Sequence, residues 1–201
     1  MIHFDPENHR YTVDNVVMPS VTYILGEWVQ VFGYYVSVFT GNAIKADVFE
    51  AGGYAGKDVH DMVEYYLDGD LDREALAPNL DCVLNQFIKW MVEHEPKIIS
   101  YEKPLYSSKY HYCGKYDLEI ELGRRRAVVD IKSGMIGMAG PQLAAYVNLI
   151  KEEKKTRAQY DRYTLALPRD GSGYKFKKHD DLTDWDFFLC RLSQFNYLKR
   201  R

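Results

Sequence analysis

Apolar and polar residues alternate along HFDPENHRYTVDNVVMPSVTYIL, residues 3 to 25, around the turn signals Asp5-Pro6 and Asp14-Asn15. This period of two predicts a small β-meander. PSVT ends it, and Ser20, or alternatively Thr22, can cap a helix beginning near Val21 with its hydroxyl. Residues 22–50 read as helical, interrupted at Gly33 and Gly41. After a flexible AGGYAG, residues 57–68 (KDVHDMVEYYLD) read as a helix ending near Gly69. Residues 81–94 read as another, with Leu84, Phe87, Ile88, Met91 and Val92 on one face and Pro96 as the stop. The pattern then changes to that of strands, in KIISYEKPLYSS, YHYCGKYDLEIEL and RRAVVDIKSG, and turns at Ser107-Ser108 and Gly123-Arg124 predict antiparallel connections. An amphipathic helix over 140–153, a strand DRYTLALP, a Gly171–Gly173 turn, a short strand YKFKK and a helix from about Thr183 complete the order. Trp185, Phe188, Leu189, Leu192 and Phe195 recur at helical spacing as a core stripe. The expectation is an α/β or α+β fold, a central mixed β-sheet flanked by helices, preceded by an N-terminal β-meander and helical segment.

At 201 residues the chain suits a single domain, 1–201, with the meander and helices over 1–95 and the strand-rich core over 96–201. The N-terminus lacks a basic start followed by an apolar stretch, and no window has the apolar length of a membrane helix, which predicts a cytoplasmic protein without a membrane partner. Cys82, Cys113 and Cys190 fit neither a disulfide framework nor a closely spaced zinc or iron–sulfur pattern and read as reduced core residues. A net charge of −3 excludes a wholly basic nucleic-acid binder but not an enzyme with a local basic groove. The 17 tyrosines read mostly as packing.

The unusual feature is VVDIKSG, residues 128–134, where Asp130 and Lys132 share one face of an apolar strand and Val129 and Ile131 the other. In GKYDLEIEL, Asp117, Glu119 and Glu121 alternate with Leu118, Ile120 and Leu122. If the two strands pair, Asp117 approaches Asp130, and two adjacent carboxylates repel unless a cation or proton intervenes. Mg²⁺, an oxygen-seeking ion, suits such a pair, and Lys132 could orient or deprotonate water and offset charge on a phosphoryl oxygen. A structural ion pair between Asp130 and Lys132 is the alternative reading of the same residues.

GKYD (114–117), VVDIK (128–132) and QLAAY (142–146), joined by GKDVH (56–60), resemble the G-x-x-D, D-x-K, Q-x-x-x-Y and G-x-x-x-H motifs of the PD-(D/E)XK nuclease superfamily, in its RecB-like branch. The N-terminal HRYTVDNVVMPSVTYIL is similar to the segment that precedes the core in phage-type exonucleases of this branch and in the mitochondrial genome-maintenance exonuclease. The resemblance spans about residues 9 to 146. It implies a restriction-endonuclease-like core and a DNA exonuclease acting in phage biology, recombination, replication or repair. His60, Asp117, Asp130 and the Ile131 carbonyl would hold one or two Mg²⁺ or Mn²⁺ ions, Lys132 would position the attacking water, Gln142 would orient the site, and Tyr146 would contact the backbone or a base. Glu102, on the preceding strand, falls where the superfamily often carries a glutamate. The motif assigns no role to Glu119 and Glu121, which read as solvated or outlying groups.

The implied partners are DNA, single-stranded or end-bearing, and a recombination or single-strand-binding protein. Lys115, Arg124 to Arg126 and Lys175 to Lys178 are candidate phosphate contacts. Four cysteines for the iron–sulfur cluster of many relatives are lacking, so none is expected. An endonuclease of the same fold, or a catalytically inactive DNA-binding or assembly module, are the rival readings.

Overall fold

The computed structural model describes residues 2–5, 10–26, 28–37, 43–134 and 137–199, with the side chains of 28, 29, 49 and 55 excepted. Strands β1 (Ile2–Asp5), β2 (Arg10–Val13) and β3 (Val16–Met18) form the predicted antiparallel meander. Asp14 and Asn15 both take positive φ, 49° and 67°, the two-residue turn whose twist suits a hairpin. Ser20 is the cap of helix α1 (Val21–Leu25), its Oγ accepting from the Tyr23 amide at 3.1 Å. Gly26, left-handed at φ 45°, ends that helix after five residues.

A helix over 22–50 is therefore not what forms. The β-branched and aromatic residues that follow build a second antiparallel sheet from β4 (Trp28–Val31), β5 (Tyr34–Ser37) and β6 (Ala43–Lys45). Phe32 and Gly33, at φ 46° and 79°, make its tight turn. AGGYAG is not a flexible linker either, because it lies inside helix α2 (Ala46–Asp68), which Gly69 closes at φ 80°. The Asp5-Pro6 turn beyond Asp5, Gly41 and the terminal Arg200-Arg201 lie outside the described residues.

Helix α3 (Pro78–His94) starts on a proline at its first turn. Its buried face carries Val83, Leu84, Phe87 and Trp90, whereas Val92, expected on that face, is exposed. Three long strands follow, β7 (Lys97–Ser107), β8 (Tyr112–Leu122) and β9 (Arg125–Lys132), joined as antiparallel neighbours. Helix α4 (Ala139–Glu153) then crosses over so that β10 (Tyr160–Ala166) pairs parallel to β9, as a parallel neighbour requires. Strand β11 (Lys175–Lys178) and helix α5 (Asp184–Lys199) end the chain's described part. The central sheet is thus mixed and five-stranded, in the order β11-β10-β9-β8-β7.

Alternation along β9 sends its side chains into two cores. Val128 joins Leu105, Tyr112, Leu143, Tyr146, Ile150, Phe188 and Leu192 beneath α1, α4 and α5. Ala127, Val129 and Ile131 join Val59, Met62, Leu84, Phe87 and Trp90 beneath α2 and α3. Phe188 and Leu192 of the C-terminal stripe are buried, with Trp185, Leu189 and Phe195 packed at its margin. Cys113 is buried, but Cys190 is exposed and so is not a core residue. Among the described residues no helix is long and apolar enough to cross a membrane.

Candidate metal centre

The strand registers bring three carboxylates into one row across the sheet. Tyr101 pairs with Leu118 and Lys103 with Tyr116, which sets Glu102 opposite Asp117. Leu118 pairs with Val129, so the next step sets Asp117 opposite Asp130, and Asp130 in turn pairs with Thr164 on β10. At Asp117 the regular β8–β9 ladder gives way: the Ile131 amide donates to Asp117 Oδ2 at 2.5 Å. The N–H and C=O of one strand residue point the same way, so the Ile131 carbonyl also turns toward β8 while its side chain stays in the core. Glu102 adopts φ 47°, a left-handed backbone that a non-glycine residue holds at a cost of about 1 to 3 kcal/mol and that concentrates at functional sites.

Helix α2 delivers His60 to this row from the side of Val59 and Met62. Its Nδ1 lies 3.4 Å from Asp117 Oδ1 and 3.5 Å from Glu102 Oε1. One donor atom each from His60, Glu102 and Asp117 falls within 4.8 Å of the others. Ligands about 2.1 Å from a common octahedral cation sit about 3 Å apart when adjacent, so the set fits one hard divalent ion with little movement. Asp130, 1% exposed, closes the row, and its Oδ2 is ion-paired to the Lys132 ammonium at 3.0 Å.

The electrostatics agree with a shared site. Burial raises the Asp117 carboxyl to about 7, with Asp130 and Glu102 adding to the rise against His60 and Lys132. Burial pulls the His60 imidazole down, but Asp117, Glu102 and Asp130 outweigh it and take it up to about 9. Glu102 is also pushed up by burial, yet His60 and Lys115 hold it below the usual carboxylate range. Lys115, a candidate phosphate contact from the sequence, is ion-paired to Glu102 Oε2.

Helix α4 supplies the remaining motif residues. Lys132 Nζ donates to Gln142 Oε1 at 3.3 Å, and Gln142 Nε2 donates to the Tyr146 hydroxyl at 3.0 Å. Burial first, then Asp130 and Asp117, keep that phenol well above its ordinary range and hence neutral. The glycine of GKYD has a steric reason: a Cβ on Gly114 would lie 2.7 Å from Tyr146 Cε1 and 3.0 Å from Val21 Cγ2. At Gly56 a Cβ would meet only Ser133 Oγ, at an ordinary 3.6 Å. Sequence reasoning thus located Glu102, Asp117, Asp130, Lys132, Gln142, Tyr146 and His60 in one place. The compact nitrogen and oxygen set, however, includes Glu102, which the motif left outside the ligands.

Other expectations change. Glu119 is not solvated: it is fully buried, with both oxygens 2.6 Å from Lys154 Nζ and further bonds from Tyr160 and Ser100, each at 3.0 Å. Arg125 and Arg126 begin β9, five and four residues before Asp130, which at about 3.3 Å per residue puts them well away from the row. Arg125 pairs there with Asp161. Lys175 does belong to the site end, since it pairs with Ala166, which pairs with Lys132. His179, bonded to Thr164 Oγ1 at 2.8 Å, was not singled out by any motif, and no sequence signal marks it. No protein-family model matches this chain, and neither does any curated protein.

Proposed function

We propose that the protein is a Mg²⁺- or Mn²⁺-dependent DNase of the RecB-like type, acting from DNA ends in the cytoplasm. The observation that carries this reading is the row Glu102, Asp117, Asp130, met at one end by His60 and at the other by Lys132. His60, Glu102, Asp117 and Asp130, with the Ile131 carbonyl, would hold the cation, which supplies charge to neutralise a phosphodiester and to make water acidic. Lys132, fixed between Asp130 and Gln142, aims an ammonium at the row from within the sheet. It is placed to orient the attacking water and to offset charge on the phosphoryl oxygens. Gln142, bridging Lys132 and the neutral Tyr146, sets that ammonium's position.

Purified protein should degrade linear DNA with Mg²⁺ or Mn²⁺ and stop with EDTA. Asp130→Ala and Lys132→Ala should each abolish cleavage while leaving the circular dichroism spectrum intact. Full activity in either variant overturns the assignment, and cutting of circular single-stranded DNA would replace exonuclease by endonuclease.

A further inference from the structure

Each carboxylate of the row has one oxygen already taken by the protein. The Lys115 ammonium is paired with Glu102 Oε2, the Ile131 amide donates to Asp117 Oδ2 at 2.5 Å, and the Lys132 ammonium stands 3.0 Å from Asp130 Oδ2. Glu102 and Asp117 turn their other oxygens, Oε1 and Oδ1, toward His60 Nδ1 at 3.5 and 3.4 Å.

This division bears on which cation fits. A carboxylate with both oxygens open can clasp an ion through the pair, and Ca²⁺, which takes about six to eight oxygens in a loose shell, uses that mode. Mg²⁺ demands an octahedron with ligands at about 2.0 to 2.1 Å and keeps some of its water. With one oxygen of each acid capped, His60, Glu102, Asp117, Asp130 and the Ile131 carbonyl offer one donor apiece. A corner of an octahedron then remains for water or a phosphoryl oxygen.

Two of the caps have other duties, since that on Asp117 is a backbone amide and that on Asp130 is the ammonium placed at the attacking water. Lys115 is different. It lies on β8 in register with Pro104, and its side chain is 28% exposed. Its ammonium sits 5.3 Å from the ring centre of Phe4, which packs on the buried Tyr11 at 4.6 Å. The N-terminal meander thus lends an aromatic face to the cation that caps Glu102.

We infer that Lys115 sets the ion preference of the centre: by holding Glu102 Oε2 it confines that acid to one-oxygen ligation and so favours the small octahedral ions, Mg²⁺ and Mn²⁺, over Ca²⁺. The inference rests on the metal centre proposed above and assigns it a selectivity residue that is neither ligand nor catalytic group. The lysine's charge opposes all three ions alike, because they carry the same charge. The cap separates them by coordination number.

The test is displacement of Mn²⁺ from the protein by Mg²⁺ and by Ca²⁺ in turn, with free Mn²⁺ read by electron paramagnetic resonance and no DNA present. The readout is the ratio of the Ca²⁺ to the Mg²⁺ dissociation constant. Lys115→Met keeps the aliphatic stem at a partly exposed position and removes the cap. It should lower that ratio about tenfold or more, whatever the change in absolute affinities. Lys115→Arg, which keeps a cationic donor beside Oε2, should stay close to wild type. A ratio in Lys115→Met within about twofold of wild type overturns the inference, even where every ion binds more tightly by a common factor. A loss in Lys115→Arg as large as in Lys115→Met overturns it too. A wild type that takes up no Mn²⁺ overturns the metal centre and this inference together, whereas the expected ratios without cleavage of DNA remove the nuclease reading alone.

Discussion

Gly114→Ala tests the steric link between the motif glycine and Tyr146. The added Cβ would stand 2.7 and 3.1 Å from Tyr146 Cε1 and Cδ1 and 3.0 Å from Val21 Cγ2. Carbon atoms pack at about 3.5 to 4.0 Å, so the ring or the strand must shift by roughly 1 Å. Neither is free to do so: Gly114 is held in register with Leu105, and Tyr146 and Val21 are 4% and 0% exposed. Overpacking of this kind costs about 1 to 3 kcal/mol. Against it stands a gain of about 0.4 to 1 kcal/mol from a stiffer unfolded chain, available because Gly114 does not occupy the left-handed region. The cost wins, by about 1 to 2 kcal/mol, which for a chain of this size lowers Tm by roughly 2 to 8 °C. Gly53→Ala is the contrasting control. It lies in α2 with nothing within 4 Å of its Cβ, and alanine there should stabilise by about 1 kcal/mol. Calorimetry and urea unfolding read both. A Tm for Gly114→Ala equal to or above wild type refutes the packing argument, as does a cost undiminished in a Tyr146→Ala background.

Lys154→Met should cost about 3 kcal/mol, since it strands the fully buried Glu119, and adding Glu119→Gln should recover much of it in urea unfolding. An undiminished cost in the double variant would disprove the pairing. For pH, the metal-free fold retains a proton on Asp117 up to about 7 and on His60 up to about 9, both above their unfolded values. Both contributions are complete at low pH and are lost as pH rises, Asp117 between about 4 and 7 and His60 between about 6.5 and 9. Thermal stability without metal should therefore fall across that range, and Mn²⁺ affinity by calorimetry should climb from pH 6 to 9 with proton release; a flat profile contradicts the site. Gln142→Leu should lower DNA hydrolysis about 10- to 100-fold through loss of the Lys132 anchor, and an unchanged rate would show that Lys132 needs no support.

The β7–β9 meander was legible because its turns carry marked residues and polar and apolar residues alternate in its strands, but the alternation reverses at Asp117, where Tyr116 lies in one core and Leu118 in the other. The β4–β6 sheet was not, because a run rich in valine, tyrosine and phenylalanine suits helix or strand, and the deciding feature was the positive φ at Phe32 and Gly33. AGGYAG misled in the other direction. Glycines lower helix propensity, but Val59, Met62 and Val63 anchor the C-terminal half of α2 in the core. Glu119 looked like a solvated acid because the groups that neutralise it, Lys154 and Tyr160, lie 35 and 41 residues further along. Glu102's place beside His60 joins residues 42 positions apart, which no local pattern encodes.

The carboxylate row also bears on how the chain assembles as it leaves the ribosome. Glu102, Asp117 and Asp130 come from three strands consecutive in sequence, whose hairpin turns close short loops at little entropic cost. His60 has already emerged by then, but Gln142, Tyr146 and the parallel partner β10 have not. When the nascent meander brings its acids face to face before the crossover helix covers them, His60, Lys115, Lys132 and mobile counterions soften the repulsion. The dissolved cations of the cell would then act as a folding aid to the half-made sheet, ahead of any chemistry they serve in the finished protein.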